Sequence, residues 1–379
     1  MSGVYITALS KFLPKEAISN EEMESYLGMI GGNPSRSRSI VLRNNGIQKR
    51  YYAIDKSGKL LHTNAQMAVN AINALDSSDF RIKNVDIIAC GTSAPDQTLP
   101  SHTAMVHGLL DFPAELISPS GACCSGIHAM KYGFLSILAG ESDSAITAGS
   151  ELISPMMMAH LFEGGEDSAK LEELQKNPAI GFEKDFLRWM LSDGAGAALL
   201  LNRPNSKGIS LKIEWIEGRS YAHRFETCMY SSSDKEPDGS LKSWKQHTPK
   251  EWVENAVFSM KQDVKLLSSN IVPLGGKFLE EICTKRGLDI STISYFLPHL
   301  SSNFFKQKVF DELKGRGMEI PEEKWFTNLT QVGNVGSASI YLMLEEIFIS
   351  GRLKIGDKLL LMVPESARFS YSYALLTVC

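Results

Sequence analysis

The sequence predicts an α/β protein made of two similar halves. Two observations carry that prediction: apolar runs of strand length alternate with helical patterns along the chain, and the second half repeats the order of the first. "VDIIACGTS" (85–93) is a continuous apolar run ended by turn residues, so it reads as a buried strand, preceded by the helical "TNAQMAVNAINALDSS". "SDSAITAGSE" (142–151), "GAGAALLLN" (194–202) and "GISLKIEWIEG" (208–218) read as further strands. In the second half "ISYFLPH" (293–299) and "DKLLLMVPE" (357–365) are strands, and "TPKEWVENAVFSMKQDVKLLSS" reads as one long helix.

The repeat shows when "CCSGIHAMKYGFLSILAGESDSAITAGSE" is set beside "NVGSASIYLMLEEIFISGRLKIGDKLLLMVPES". Each opens an apolar helix with small residues, closes it with a glycine (Gly140, Gly351), turns, and enters a buried strand. The halves meet near "RPNSK" (203–207), giving an N-terminal half over 1–205 and a C-terminal half over 206–379. Residues 152–190 interrupt the rhythm; an insertion of that length between strands predicts a lid or pocket wall. Met156, Met157 and Met158 would line it, since the unbranched thioether adapts to irregular apolar surfaces.

Composition sets outer bounds. The 379 residues are 43% hydrophobic and 22% charged with a net charge of −4, which leaves no broad basic surface for nucleic acid. "MSGVYITALSKFLPK" lacks the charged segment and apolar run of a secretory signal, and no apolar stretch approaches the ~20 residues of a membrane span. A cytoplasmic protein is expected. The six cysteines (90, 123, 124, 228, 283, 379) fit no metal spacing and no disulfide framework, so free thiols and no metal are expected.

Three positions combine into a candidate site. Cys124 precedes Ser125-Gly126 and an apolar helix, where the helix dipole would favour thiolate and aim a nucleophile at an acyl group. His299 follows a buried strand and a proline, at the strand end where α/β proteins place their sites. Asn334, in a glycine-bounded turn, reads alone as a helix cap. The repeat makes its helix the counterpart of the Cys124 helix and draws both residues toward one point between the halves.

Taken in order, "GTSAPDQTLPS", "GACCSGI", "LSDGAGAALLL", "LPHLSSN" and "GNVGSAS" resemble the β-ketoacyl-ACP synthase III branch of the thiolase-like condensing enzymes, over nearly the whole chain. The resemblance implies a thiolase-like fold, two α/β halves stacked in five αβαβα layers. It implies Cys124 as the nucleophile before x-Gly, with Cys123 on a small packing position, and His299 and Asn334 as partners. Cys124 would take an acyl group from acyl-CoA or acyl-ACP, its own N–H helping to hold the oxyanion. A decarboxylating malonyl-type or a β-ketoacyl extender would then attack, with His299 and Asn334 donating to the extender's thioester oxygen and no metal or redox cofactor required. A homodimer is implied, with Leu99 reaching into the partner's acyl pocket. Lys306 and Lys308 would face an acidic carrier protein.

Departures from the family pattern point to a specialised member. Ser366, Ala367 and Arg368 stand beside Glu365 where a glycine-rich loop is usual, so Ser366 and Ala367 would shape the substrate pocket. Asn44 replaces an expected arginine in "RNNGIQKR", which favours an ACP-borne donor over CoA. These features resemble ketosynthases that build dialkylresorcinol or cyclohexanedione pigments, among fatty-acid, polyketide and alkylresorcinol-type pathways. Two other readings are an acyltransferase passing the group to an alcohol or amine without decarboxylation, and a non-catalytic subunit of a condensing heterodimer. Retention of Cys124, His299 and Asn334 argues against the second.

Overall fold

A computed structural model describes residues 3–35, 37–162 and 187–379. In chain order the strands are β1 (Tyr5–Phe12), β2 (Ile18–Ser19), β3 (Lys49–Arg50), β4 (Ile87–Gly91), β5 (Glu115–Ile117), β6 (Ser144–Glu151), β7 (Gly194–Leu201) and β8 (Leu211–Ser220). They continue with β9 (Met229–Tyr230), β10 (Ser233–Lys235), β11 (Leu241–Ser243), β12 (Lys261–Gln262), β13 (Tyr295–Pro298), β14 (Lys358–Glu365) and β15 (Ser370–Val378). Nine of them form one sheet in the order β13-β14-β15-β8-β1-β7-β6-β4-β5.

That order contains the repeat. The first half runs β1-β7-β6-β4 and the second β8-β15-β14-β13, each with two antiparallel pairings followed by a parallel one. They join at a short β1–β8 contact, Tyr5 opposite Lys212 and Ile6 opposite Leu211.

The hydrophobic patterns explain the layers. Helices Cys124–Ala139 and Ser339–Ile349 are apolar on most faces and fill the middle layer, where Ile127, Met130, Ile340 and Leu344 share a core with Leu200 and Leu361. On one outer side helix Asn64–Asn73, opened by a Thr63–Gln66 capping box, packs Ala68 and Ile72 against Ile88 and Ile146. On the other, helices Val264–Arg286 and Lys306–Gly315 cover β14 and β15 through Leu267, Phe278, Val309 and Tyr373. The result is the five-layered arrangement of the thiolase-like fold. Gly140 (φ 79°) and Gly351 (φ 71°) end the two central helices in the left-handed conformation that glycine adopts without steric cost.

Two expectations need correcting. The long helix over 248–269 is broken: a short helix Pro249–Glu254 ends, Ala256 takes φ 45°, and β12 pairs with β9 before a new helix begins at Val264. The Asp263 side chain accepts the Leu266 N–H at 3.0 Å, so a cap sits inside the apparent helix and divides it. The second correction concerns the methionine run. Met157 is 2% exposed in the core and Met158 packs against that core, so of the three only Met156 lines a cavity described below.

The start of the 152–190 insertion is tied to buried Asp193, just past its end, which accepts the Ile153 and Ser154 N–H groups at 2.7 and 2.9 Å. Trp189 and Arg188 are buried beside it. The rest of the lid expectation, residues 163–186, lies outside the described residues. Among the described residues no helix is long and apolar enough to cross a membrane.

Candidate active site

The central helices meet where glycine permits it. A Cβ on Gly126 would lie 2.1 Å from the Ser337 carbonyl oxygen, and one on Gly149 would lie 2.3 Å from the same atom. Tyr341 locks the contact by donating to the Gly126 carbonyl at 2.9 Å. Ser337 donates its hydroxyl to Gly91 O and Ser150 O, and its N–H to Glu151 Oε1 at 3.0 Å. Buried Glu151 also accepts from Ser93 Oγ at 2.7 Å. This lattice pins the Asn334 turn to the ends of β4 and β6, which also flank the Cys124 turn.

Two cavities open from that point. An enclosed one of about 80 Å³ is lined by Cys123, His299 and Asn334 and runs between the Val264–Arg286 helix and β15, past Ile271, Gly275 and Tyr371. A more open cleft of about 810 Å³ is bounded by Ala122, Met156, Tyr230 and Phe258. Met229 and Met260 line both, forming the partition between them.

His299 is held by its backbone, whose N–H donates to Met362 O at 2.8 Å across the parallel β13–β14 pair. Its side chain is 3% exposed, and Nε2 has no hydrogen-bond partner among the described residues. Burial pushes its pKa down to about 4, so the ring is neutral near pH 7. Asn334 is fixed by Met190 O accepting its N–H and by Ser192 donating to its carbonyl, both at 3.0 Å. Its Oδ1 accepts the Gly336 N–H at 3.0 Å, which leaves the NH2 as its free donor end. A neutral imidazole and an amide on one apolar cavity are suited to a carbonyl oxygen that gains negative charge.

The cysteine pair differs from expectation. Cys124 is fully buried with its thiol donating to Val363 O at 3.3 Å, whereas Cys123, read from the sequence as the packing residue, lines the cavity with His299 and Asn334. The surroundings also work against the expected thiolate: burial, and then the carboxylate of Glu365, push both thiols well above their ordinary pKa. Glu365 Oε2 accepts the N–H groups of Ala122 and Cys124 at 3.0 Å each, opposing the helix dipole at the point where it would act.

The remaining candidates fall in three places. Ser366 lines the enclosed cavity and accepts from Gln262 Nε2 at 2.9 Å, and Ala367 lines the open cleft. Leu99 is 83% exposed and lines neither cavity of its own chain. Lys306 pairs with Glu322 at 2.7 Å and Lys308 lies 4.2 Å from the Phe304 ring, so both surface cations already have partners. Asn44, half-buried in helix Arg38–Asn45, also lines neither cavity. Sequence reading missed Glu151, Met229, Met260 and the tyrosines of β15. Tyr371 and Tyr373 donate to Ile271 O and Gly275 O, and their alternation in "SYSYALL" was the available signal.

Comparison with known proteins finds relatives over nearly the whole chain. Residues 45–205 match the family described as β-ketoacyl synthase, N-terminal domain, and residues 283–372 match 3-oxoacyl-[acyl-carrier-protein (ACP)] synthase III C terminal. A β-ketoacyl-[acyl-carrier-protein] synthase III of Clostridium perfringens (strain SM101 / Type A) is 25% identical over 367 residues, covering 96% of this chain and 95% of its own. The Ehrlichia ruminantium (strain Gardel) protein of the same name is 25% identical over 359 residues, covering 94% and 93%. Among solved structures, a tetronic acid condensing enzyme superposes with TM-score 0.74 at 19% identity, covering 99% of both chains. OleA of Xanthomonas campestris, solved with lauric acid and lauroyl-CoA, gives TM-score 0.74 at 17% identity, again covering 99% of both.

Proposed function

We propose that this chain is a β-ketoacyl-ACP synthase III-like condensing enzyme that joins two acyl units through an acyl-cysteine at the Cys123–Cys124 turn, a reading supported by the family matches in both halves and by the relatives named above. Cys124 takes the acyl group from acyl-CoA or acyl-ACP as a thioester, after its side chain rotates from Val363 O toward the cavity. Its place before Ser125-Gly126, matching the family motif, supports that assignment. An extender thioester then enters, its α-carbon becomes an enolate by losing carbon dioxide (malonyl type) or its C2 proton (β-ketoacyl type), and that carbon attacks the acyl carbon while the cysteine thiolate leaves. His299 and Asn334 hold the extender's oxygen as it gains charge.

The observation that carries this reading is the pair of neutral donors, buried His299 with an unpartnered Nε2 and Asn334, on one apolar cavity beside the cysteines. A second reading gives the acyl group to Cys123, favoured by its place in the cavity lining. Such a site acts as a homodimer in this account, with a second copy covering Leu99 and the half-exposed Leu109. A carrier protein would dock near Lys306 and Lys308. No metal or redox group enters the steps drawn.

The test is product analysis by mass spectrometry with acyl-CoA or acyl-ACP plus a malonyl or 3-oxoacyl thioester. Wild type should form a carbon–carbon bonded product. His299→Ala should still load acyl but condense about 100-fold or more slowly, the usual cost of an oxyanion donor. Transfer to added alcohols or amines, with no carbon–carbon bond formed, would refute the condensing reading.

A further inference from the structure

The steps above leave the buried Glu365 beside the cysteines unused. Glu365 closes β14 with 8% of its surface exposed, and its Oε2 holds the Ala122 and Cys124 N–H groups. The Cys124 N–H is the donor that the carbonyl oxygen of an acyl group on that cysteine would use. The carboxylate therefore stands, before loading, where the acyl oxygen stands afterwards. Loading must free it, and it is freed within a few ångströms of the acyl carbon.

A capping role accounts for part of this. The Cys124 helix has no capping side chain at Cys123, and the Glu365 carboxylate satisfies the N–H of its first residue, Cys124. Capping does not account for the choice of an anion beside a thiol whose ionisation it opposes. Nor does it account for where Glu365 sits: it lines neither cavity itself, but it is flanked by residues that line both. Pro364 and Ser366 line the enclosed cavity, Ala367 lines the open cleft, and a Cβ on cleft-lining Gly121 would come to 3.6 Å from Oε2.

We propose that Glu365 is the base of the carbon–carbon bond-forming step and that the extender is accordingly a β-ketoacyl thioester. The proposal rests on the condensing reading above. A C2–H between two carbonyls is acidic enough for a carboxylate to remove, whereas a malonyl thioester yields its carbanion by losing carbon dioxide and needs no base. The C2 proton passes to Glu365, and the C2 electron pair attacks the acyl carbon. The carbon–sulfur bond breaks to give thiolate, and the proton moves from Glu365 to sulfur. The products are a 2-acyl-3-oxoacyl thioester and the free cysteine, with every atom of both substrates retained. His299 and Asn334 hold the enolate oxygen throughout.

Glu365→Gln is the test, because its amide oxygen still accepts both N–H groups but takes no proton. With a 3-oxoacyl N-acetylcysteamine thioester as extender, the variant should load acyl within about two-fold of wild type and condense at least ~100-fold more slowly, the range of a lost general base. With a malonyl thioester the two proteins should differ by only a few-fold, a split that a structural cap would not produce. Glu365→Asp, which keeps the base one methylene further away, should recover part of the lost rate. Condensation by Glu365→Gln at the wild-type rate would overturn the proposal, as would Glu365→Asp behaving no better than Glu365→Gln. Wild type that uses malonyl but not 3-oxoacyl thioesters would overturn it while leaving the condensing reading intact. Wild type that never loads acyl would bring down both.

Discussion

Gly126→Ala should dismantle the site before it unfolds the protein. Within a helix, replacing glycine by alanine alone would stabilise by about 1 kcal/mol. Here the new methyl would lie 2.1 Å from Ser337 O, whereas ordinary contact begins near 3.4 Å, so a backbone carbonyl must retreat by more than 1 Å. That carbonyl belongs to the turn carrying Asn334, held by Glu151, Gly91 and Ser150. Overpacking costs typically 1–3 kcal/mol, and a displaced backbone carbonyl belongs at the top of that range, so net destabilisation of up to about 2 kcal/mol is expected after the helix gain. Gly133→Ala on the same helix is the control, since its methyl meets only the side chains of Ala145 and Thr147, at 2.9 and 3.0 Å, and Leu200. Urea unfolding should rank Gly126→Ala below Gly133→Ala, and condensation should fall at least ~10-fold further in the former, as small displacements of positioned groups do. Equal stability and activity in the two variants would refute the claim that the central helices meet backbone to backbone at this point.

Other expectations follow from the same geometry. His299 is pushed down to about 4 by burial against an ordinary 6.5, so the unfolded chain binds its proton first and the stability from neutral His299 is lost as pH falls from 6.5 toward 4. At about 1.4 kcal/mol per pH unit, wild type should lose about 2 kcal/mol more than His299→Gln between pH 6.5 and pH 5; parallel urea midpoints would contradict this. Met260→Ala removes part of the partition between the two cavities and should shift loading toward longer acyl chains in a competition assay, while an unchanged preference would deny the partition its role. Leu99→Asp should lower the sedimentation coefficient if a second copy covers that exposed leucine, and no change would remove it from the interface.

Much of the architecture was legible because it rests on local pattern. Buried strands such as 87–91 and 358–365 are near-continuous apolar runs, and the central helices are bracketed by small residues and a glycine. The repeat added long-range information, since matching order in sequence became matching order in the sheet. The broken helix at 248–263 was missed because its apolar spacing continues across Asp263, and only tertiary contact of β12 with β9 decides for extended chain there. His299 and Asn334 were found from strand-end and turn positions, which fix backbone location. Which of two adjacent thiols faces the cavity depends on the helix's rotation against β14, and no spacing rule encodes that. Glu365 was visible as a departure from a glycine-rich pattern, but its bond to the Cys124 N–H spans 241 residues of chain.

The most direct measurement is peptide-level mapping of the acyl group after brief exposure to acyl-CoA and acyl-ACP, on wild type, Cys123→Ala and Cys124→Ala. A thioester is expected within residues 118–134, present in wild type and Cys123→Ala and missing from Cys124→Ala. A thioester that survives in Cys124→Ala and vanishes in Cys123→Ala would move the chemistry to the neighbouring thiol. Acylation elsewhere, or none at all, would contradict the central claim that this turn is where the reaction begins.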